Sequence, residues 1–313
     1  MQLTPRLVLM LSTPPLMWAC NAVVGRLAID SIGPLWLNAL RWVVAFALLL
    51  PLGWAALGTA RARAQIRERW QVLAILGLIG VGAYNALQYM ALRTSTPLNV
   101  TLIASSSPVW TLLIGALAYG AVPTRQQLAG AVLSLCGVAL VLARGEPAAL
   151  ADVRLVQGDL LMLLAILGWS FYSWMLARPP ASMRGEARPA WNWAEFLVAQ
   201  CVFGVAWAVG AAGLGELIVP SAAIQWSWQL GAAILFVAVG PSIIAYRLWG
   251  LAVGEAGPAM AAIFYNLTPL FAAILSAAVM GEAPQAFHAV AFGLIVAGIF
   301  VSSRSQGPSA RSK

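Results

Sequence analysis

Apolar residues run through this chain in long unbroken stretches, and polar residues gather in short intervals between them. Ten stretches stand out, at residues 7–28, 34–57, 71–92, 98–119, 127–143, 158–177, 194–213, 228–249, 258–280 and 287–302. About 20 apolar residues in a helix cross a bilayer core, and fewer suffice where the membrane is thin. The stretches are apolar all round rather than alternating, which predicts helices and not barrel strands. The fifth and tenth are the shortest, so these two are expected to stand upright or to sit where the bilayer thins.

The pattern also repeats. At a constant offset of 161 residues, Pro97 falls on Pro258, Pro108 on Pro269, Gly120 on Gly281, Pro123 on Pro284 and Gly137 on Gly298. Trp18 in the first stretch likewise matches Trp169 in the sixth. Chance matching of common membrane residues is the alternative, and five Pro/Gly coincidences at one ungapped offset weigh against it. Five helices per copy is an odd number, so the second copy enters the membrane upside down, as in secondary carriers that expose a central site alternately. The expected fold is an all-α membrane protein of ten transmembrane helices, two inverted five-helix repeats around a central cavity. Residues 1–150 form the first repeat, 151–303 the second and 304–313 a tail.

Composition agrees with that picture. The 313 residues are 61% hydrophobic and 9% charged, with a mean hydropathy of +0.85. A soluble domain carries about a quarter charged residues, so a soluble enzyme or binding module is excluded. The 14 Trp, 28 Gly and 18 Pro suit membrane helices and their interfaces. The net charge of +8 orients the chain rather than binding nucleic acid. Arg6, Arg61, Arg63, Arg67, Arg69, Arg125, Arg178, Arg184, Arg188, Arg247, Arg304, Arg311 and Lys313 fall to one side. Only Arg26, Arg93, Arg144 and Arg154 fall to the other, and Arg41 lies inside a stretch. The basic side is the cytoplasmic one, which places both termini in the cytoplasm of a multi-pass inner (plasma) membrane protein. No cleavable leader is expected, because the first apolar stretch outruns a signal segment. Cys20, Cys136 and Cys201 lie in apolar stretches and are expected as reduced, buried thiols.

The candidate chemistry sits at depth. Arg41 is about seven residues into the second stretch, roughly 10 Å down at 1.5 Å per residue. It either pairs with a substrate carboxylate or serves structure by reaching the surface or clamping a carbonyl. Asn21 is one turn from Trp18, and Tyr84 and Gln88 share a face. Ser105, Ser106 and Ser107 precede Pro108, and Tyr265, Asn266 and Thr268 precede Pro269. A helix proline frees a carbonyl one turn earlier, and the repeat puts these two clusters in corresponding places. They read as cavity lining or as interhelical glue. Trp110 lies inside the fourth stretch. Trp18, Trp169 and Tyr172 read as an aromatic wall for an apolar side chain or an ammonium, or as ordinary packing. Trp42 and Trp207 are expected to pack or to meet lipid.

All ten acids lie at or near stretch ends, and the lone His288 opens the last stretch. Proton-coupled carriers keep a carboxylate or His at depth, so strict proton exchange is not expected. No metal cluster, nucleophile–base pair or phosphate loop appears in the sequence, so neither a cofactor nor an enzyme is expected. The expected partners are a small-molecule substrate (an amino acid or similar metabolite) and the lipid bilayer, with a monomer compatible.

The stretches LNALRWVVAFALLL (37–50), SSPVWTLLIGALAYGAVPTRQQLAGAVLSLCGVALVLA (106–143), GDLLMLLAILGWSFYSWMLAR (158–178) and NLTPLFAAILSAAVMGEAPQ (266–285) resemble the drug/metabolite transporter superfamily, EamA-type branch. Arg41 follows the general pattern of that branch. The resemblance implies ten helices in two halves and a transporter. Within the branch the chain is similar to YddG-like exporters of aromatic amino acids. It implies export of amphipathic metabolites, with amino acids bearing aromatic or hydrophobic side chains first among them. Another metabolite or drug is the alternative substrate, and a receptor or scaffold without transport the alternative class. Small multidrug members of the superfamily use a first-helix Glu, where this chain offers only Asn21.

Overall fold

A computed structural model describes residues 3–28, 30–91, 93–95, 97–146, 148, 155–218, 220, 222–280 and 285–304. The matches expected at Gly281 and Pro284, and the tail beyond 304, fall outside these residues.

Each of the ten predicted stretches is helical. They are α1 (Pro5–Ala28), α2 (Pro34–Gly53), α3 (Trp70–Leu76 and Tyr84–Ala91), α4 (Pro97–Ser105 and Ser107–Tyr119) and α5 (Arg125–Leu142). The second set is α6 (Gln157–Ala177), α7 (Trp193–Ile218), α8 (Trp228–Val237 and Ala245–Ala256), α9 (Pro258–Tyr265 and Leu267–Met280) and α10 (Ala286–Ser303). Nine described segments are long and apolar enough to cross a membrane. The other, α4, is broken at Ser106 just before Pro108 and contributes a shorter apolar piece, Ser107–Tyr119.

The 161-residue offset governs local structure as well as prolines. The two pieces of α3 are joined by a π-helical turn over Gly77–Ala83, and those of α8 by one over Ala238–Ile244, the same offset later. Such wide turns insert a residue and rotate the helix beyond them. The starts of α5 and α10 are also mates. The Thr124 Oγ1 accepts from the Gln127 N–H at 3.2 Å while Gln127 Oε1 accepts from the Thr124 N–H at 2.9 Å. At the mate, the Gln285 N–H donates to His288 Nδ1 at 3.0 Å. His288 is therefore a helix cap. Asp159 caps α6 in a similar way, accepting from the Val156 N–H at 2.7 Å and from the Ser95 hydroxyl.

Packing obeys the pseudo-twofold. Helix α5 lies on its mate α10 and α2 on its mate α7. Helix α1 packs on α8 and α9, as α6 packs on α3 and α4. Small residues let the outer pair close. A Cβ on Gly137 would sit 2.8 Å from the Ala291 carbonyl, and one on its mate Gly298 would sit 2.6 Å from the Gly130 carbonyl. Residues 130 and 291 are themselves mates, so the symmetry holds down to backbone approach.

The bundle has two ends. One carries the α1–α2 loop, called here the α1–α2 face; the other, the terminal face, carries the chain's ends. Arginines lace the terminal face. Arg69 links the α2–α3 loop to the α6–α7 loop by donating to the Ser182 and Ala187 carbonyls at 2.9 and 2.7 Å, and Arg178 donates to the Tyr119 carbonyl at 2.7 Å. Between α2 and α3 a short helix, Ala60–Glu68, tucks Ala62 and Ile66 inward.

Two expectations change, for α8 with Arg247 and for the cysteines. Helix α8 extends to Ala256 rather than 249, so Arg247 belongs to a helix and not to a loop. Its guanidinium lies 4.5 Å from the Trp193 ring centroid, and its long stem allows that reach from inside the helix. Of the cysteines only Cys201 is buried; Cys20 is half-buried and Cys136 faces outward from α5. Trp42 is packed away fully, edge-on to Tyr246, whereas Trp207 is exposed.

Candidate functional site

A cavity of about 440 Å³ lies between the repeats. Its lining begins at mid-depth with Trp18 and Trp169 and climbs toward the α1–α2 face through Gly25, Pro34, Gln88, Tyr89 and Val100. Toward the terminal face the core is filled by Trp249, Val253, Met260 and Ile263.

Aromatic rings form the floor. Trp18 meets Trp169 edge-on with centroids 5.2 Å apart and also lies 5.6 Å from Tyr265. Trp169 stacks on Tyr172 behind it at 5.2 Å and touches Tyr84 at 5.3 Å and Tyr246 at 5.6 Å. The floor is pinned to both wide turns. The Trp18 indole N–H donates to the Pro241 carbonyl at 3.2 Å, and the Tyr246 hydroxyl donates to the Gly80 carbonyl. Residues 80 and 241 are mates, so the two repeats offer one freed carbonyl each to an aromatic donor from elsewhere. Tyr84 and Tyr265 share a hydroxyl–hydroxyl hydrogen bond of 2.5 Å across the repeats.

Above the floor the wall is polar and uncharged. Asn21, Asn85, Gln88, Thr101, Ser105 and Thr268 line it, with no acidic or basic residue among the described lining. Three buried polar atoms of lining residues, Ser105 Oγ, Thr268 Oγ1 and Trp169 Nε1, have no hydrogen-bond partner among the described residues. A buried donor or acceptor left in this state costs about 1–3 kcal/mol.

Arg41 lies directly behind this wall, 1% exposed. Its Nη1 donates to Asn21 Oδ1 at 3.1 Å, and its Nε and Nη2 donate to Ser242 Oγ at 3.1 and 2.9 Å. The Ser242 hydroxyl in turn donates to the Val237 carbonyl at 2.8 Å. No carboxylate pairs with Arg41 among the described residues. One turn earlier on α2, Asn38 donates to the Val81 and Gly82 carbonyls at 3.4 and 3.3 Å. Helix α2 thus braces both wide turns, one with an amide and one with a cation.

Of the residues singled out from sequence, the structure gathers Trp18, Asn21, Tyr84, Gln88, Ser105, Trp169 and Tyr265 on the cavity. Arg41, Tyr172, Ser107, Trp110 and Asn266 stand behind it. Tyr172 donates to Gln200 at 3.1 Å, Trp110 to Ser106 at 2.9 Å and Asn266 to Ser134 at 2.9 Å, while Ser107 is buried. Sequence reasoning missed Asn85, Tyr89, Thr101 and Tyr246. Asn85 and Tyr89 each follow an expected lining residue, Tyr84 and Gln88, by one position, and that adjacency is the signal that would have found these two.

Two helical repeats of opposite sense around a buried cavity define a carrier. The profile of the EamA-like transporter family matches residues 6–143 and again 156–304, and the chain belongs to that family, within the drug/metabolite transporter superfamily. It is 25% identical over 298 residues to an uncharacterized transporter of Archaeoglobus fulgidus, covering 95% of this chain and 97% of that one. It is 25% identical over 292 residues to the aromatic amino acid exporter YddG of Ancylobacter novellus, covering 93% and 94%. A solved crystal structure shares the fold with a TM-score of 0.73 at 22% identity, over 96% of this chain and 99% of that one. The protein is a multi-pass membrane transporter.

Proposed function

We propose that the transporter exports small amphipathic metabolites, foremost amino acids with aromatic or hydrophobic side chains, by alternating access. The carrying observation is the composition of one cavity: rings at its floor, amides and hydroxyls on its wall, and Arg41 just behind Asn21. An apolar side chain would settle among Trp18, Trp169 and Tyr265. The head group would meet Asn21, Gln88, Ser105 and Thr268. Its carboxylate would oppose the charge of Arg41, whose burial without an anion is costly. The aromatic amino acid exporter among the relatives favours the same substrate class.

With the basic loops in the cytoplasm, the α1–α2 face is the outer one, so the cavity is the outward-open form. The halves 1–150 and 151–303 would rock as units to open the terminal face. No acid or His lines the cavity among the described residues, which favours movement down a gradient over strict proton exchange.

Counterflow in proteoliposomes tests this. Labelled Phe, Trp, Thr and Met are offered with and without a pH gradient, and accumulation of Phe or Trp independent of the gradient is expected. Failure of all four removes the amino-acid reading, and accumulation that tracks the proton gradient strictly removes the uncoupled one.

A further inference from the structure

Arg41 stands beside the main cavity without entering it. Its Nε and Nη2 donate to Ser242 Oγ at 3.1 and 2.9 Å, and its Nη1 donates to Asn21 Oδ1 at 3.1 Å. The Ser242 hydroxyl passes its own proton to the Val237 carbonyl at 2.8 Å, so the wide turn of α8 braces the guanidinium from behind. A guanidinium carries donors only. The Asn21 amide must therefore turn its oxygen to Arg41, which leaves its NH2 on the cavity side, where Asn21 is part of the lining. That NH2 has no hydrogen-bond partner among the described residues. It is a donor fixed in direction and polarised by the cation behind it.

We propose that Asn21, held by Arg41, reads the carboxylate of the solute, and that the α-amino group is dispensable. The substrates are then aromatic and hydrophobic monocarboxylates, of which amino acids are one kind. A carboxylate in the cavity accepts from the Asn21 amide. It also lies in the field of a buried cation that has no acid paired with it among the described residues. An ammonium finds ring faces and neutral oxygens there. The same cation opposes it, and no acid lines the cavity among the described residues. Losing the ammonium therefore changes binding little, and losing the carboxylate changes it much. Asn21 is the contact, and Arg41 is a positioning residue that acts through it. This rests on the reading above for the ring and size of the solute.

Solute-dependent shifts in thermal unfolding in detergent test it, since a bound solute stabilises according to its concentration over Kd. Three solutes share one ring: L-phenylalanine, 3-phenylpropanoate, which lacks the ammonium, and 2-phenylethylamine, which lacks the carboxylate. On the wild type, 3-phenylpropanoate should bind no more than about threefold more weakly than L-phenylalanine. The amine should bind at least about tenfold more weakly, the factor for a lost hydrogen bond to a charged group. In Asn21→Asp the new carboxylate pairs with Arg41, cancels its charge and turns an acceptor toward the cavity. The order should then invert, with the amine tighter than the acid by about tenfold. A merely structural lesion would weaken both alike. Arg41→Gln removes the charge and frees the amide to turn, so acid and amine should come within about threefold of each other.

Wild-type protein that binds the amine as tightly as the acid overturns the proposal. So does an Asn21→Asp variant that unfolds cooperatively and keeps the wild-type order. If a variant loses its unfolding transition, the wild-type order still decides the substrate class. Wild-type counterflow of L-phenylalanine and 3-phenylpropanoate is run in parallel. Counterflow of L-phenylalanine with equal binding of acid and amine removes this proposal alone. Binding and counterflow of 3-phenylpropanoate without L-phenylalanine keep it and remove the amino-acid reading, and binding of none of the three removes both.

Discussion

Two half-helices, Pro97–Ser105 of α4 and Pro258–Tyr265 of α9, are mates at the 161-residue offset, yet their surroundings differ. In the first, Val100, Thr101, Ala104 and Ser105 line the cavity, and Thr101 is half-exposed. In the second, every residue from Pro258 to Tyr265 is buried. The fold gives both pieces corresponding neighbours: α4 against α6, and α9 against α1. On the proposed alternating mechanism the difference is one of state. One mate is open to the α1–α2 face while the other is packed toward the terminal face, and exchange of these roles is what alternation of the two halves requires.

The largest effect is expected where the open and packed halves meet. Trp169→Ala strips ring contacts with Trp18, Tyr84, Tyr172, Tyr246 and Trp249. Large-to-small changes at such sites cost about 3–5 kcal/mol, so both thermal stability in detergent and counterflow should collapse. Trp54→Ala, at a 59% exposed ring, should stay within about 0.5 kcal/mol and transport normally. Equal effects would show that the floor has no special role. Trp169→Phe, which keeps a ring, should recover part of the stability and separate folding from transport.

The next test sets the mates against each other. Ala262, 2% exposed, corresponds to half-exposed Thr101. Thr101→Phe adds volume to the cavity and should block transport. Ala262→Phe overpacks the closed half by about 1–3 kcal/mol. That strain is relieved in the state where the half opens, so the population shifts toward it by roughly 5- to 150-fold. A cysteine at Gln88, labelled from the α1–α2 face, should then react more slowly, by at most that factor. Unchanged labelling would show that the packed half is simply core and never opens.

The helices and the repeat were legible because both leave blunt marks: apolar runs, and prolines at helix breaks. The two wide turns carried the same offset but no mark, since GLIGVGA and AVGPSII read as ordinary membrane helix. Their consequence was therefore hidden. An inserted residue rotates the whole piece beyond it; within Tyr84–Ala91, Asn85 and Tyr89 lie one position past Tyr84 and Gln88, about 100° round the helix, and the cavity takes that wider arc. Several misplaced residues have a different cause. Asn266 is the mate of Ser105, and Ser107 the mate of Thr268. Ser105 and Thr268 line the cavity, while Asn266 and Ser107 are packed behind it. Sequence marks a residue's place in the repeat and carries no record of which half is open.

The smallest expected effect addresses that record directly. The Tyr84–Tyr265 hydroxyl pair joins the repeats at 2.5 Å. Its mates are Ala245 and Ala104, which have no hydroxyl, so the exchanged state has no equivalent bond to form. The pair therefore breaks the pseudosymmetry and favours the state with the α1–α2 face open. A buried hydrogen bond contributes about 0.5–1.5 kcal/mol net, so Tyr84→Phe or Tyr265→Phe should shift the balance about two- to tenfold toward the other state. The same Gln88 cysteine reads this as slower labelling. Because one bond is removed either way, the double substitution should slow it no further than a single one, a non-additivity that a double-mutant cycle measures. Additive slowing would mean that each hydroxyl acts through separate partners, and that the preference for this state lies elsewhere in the floor.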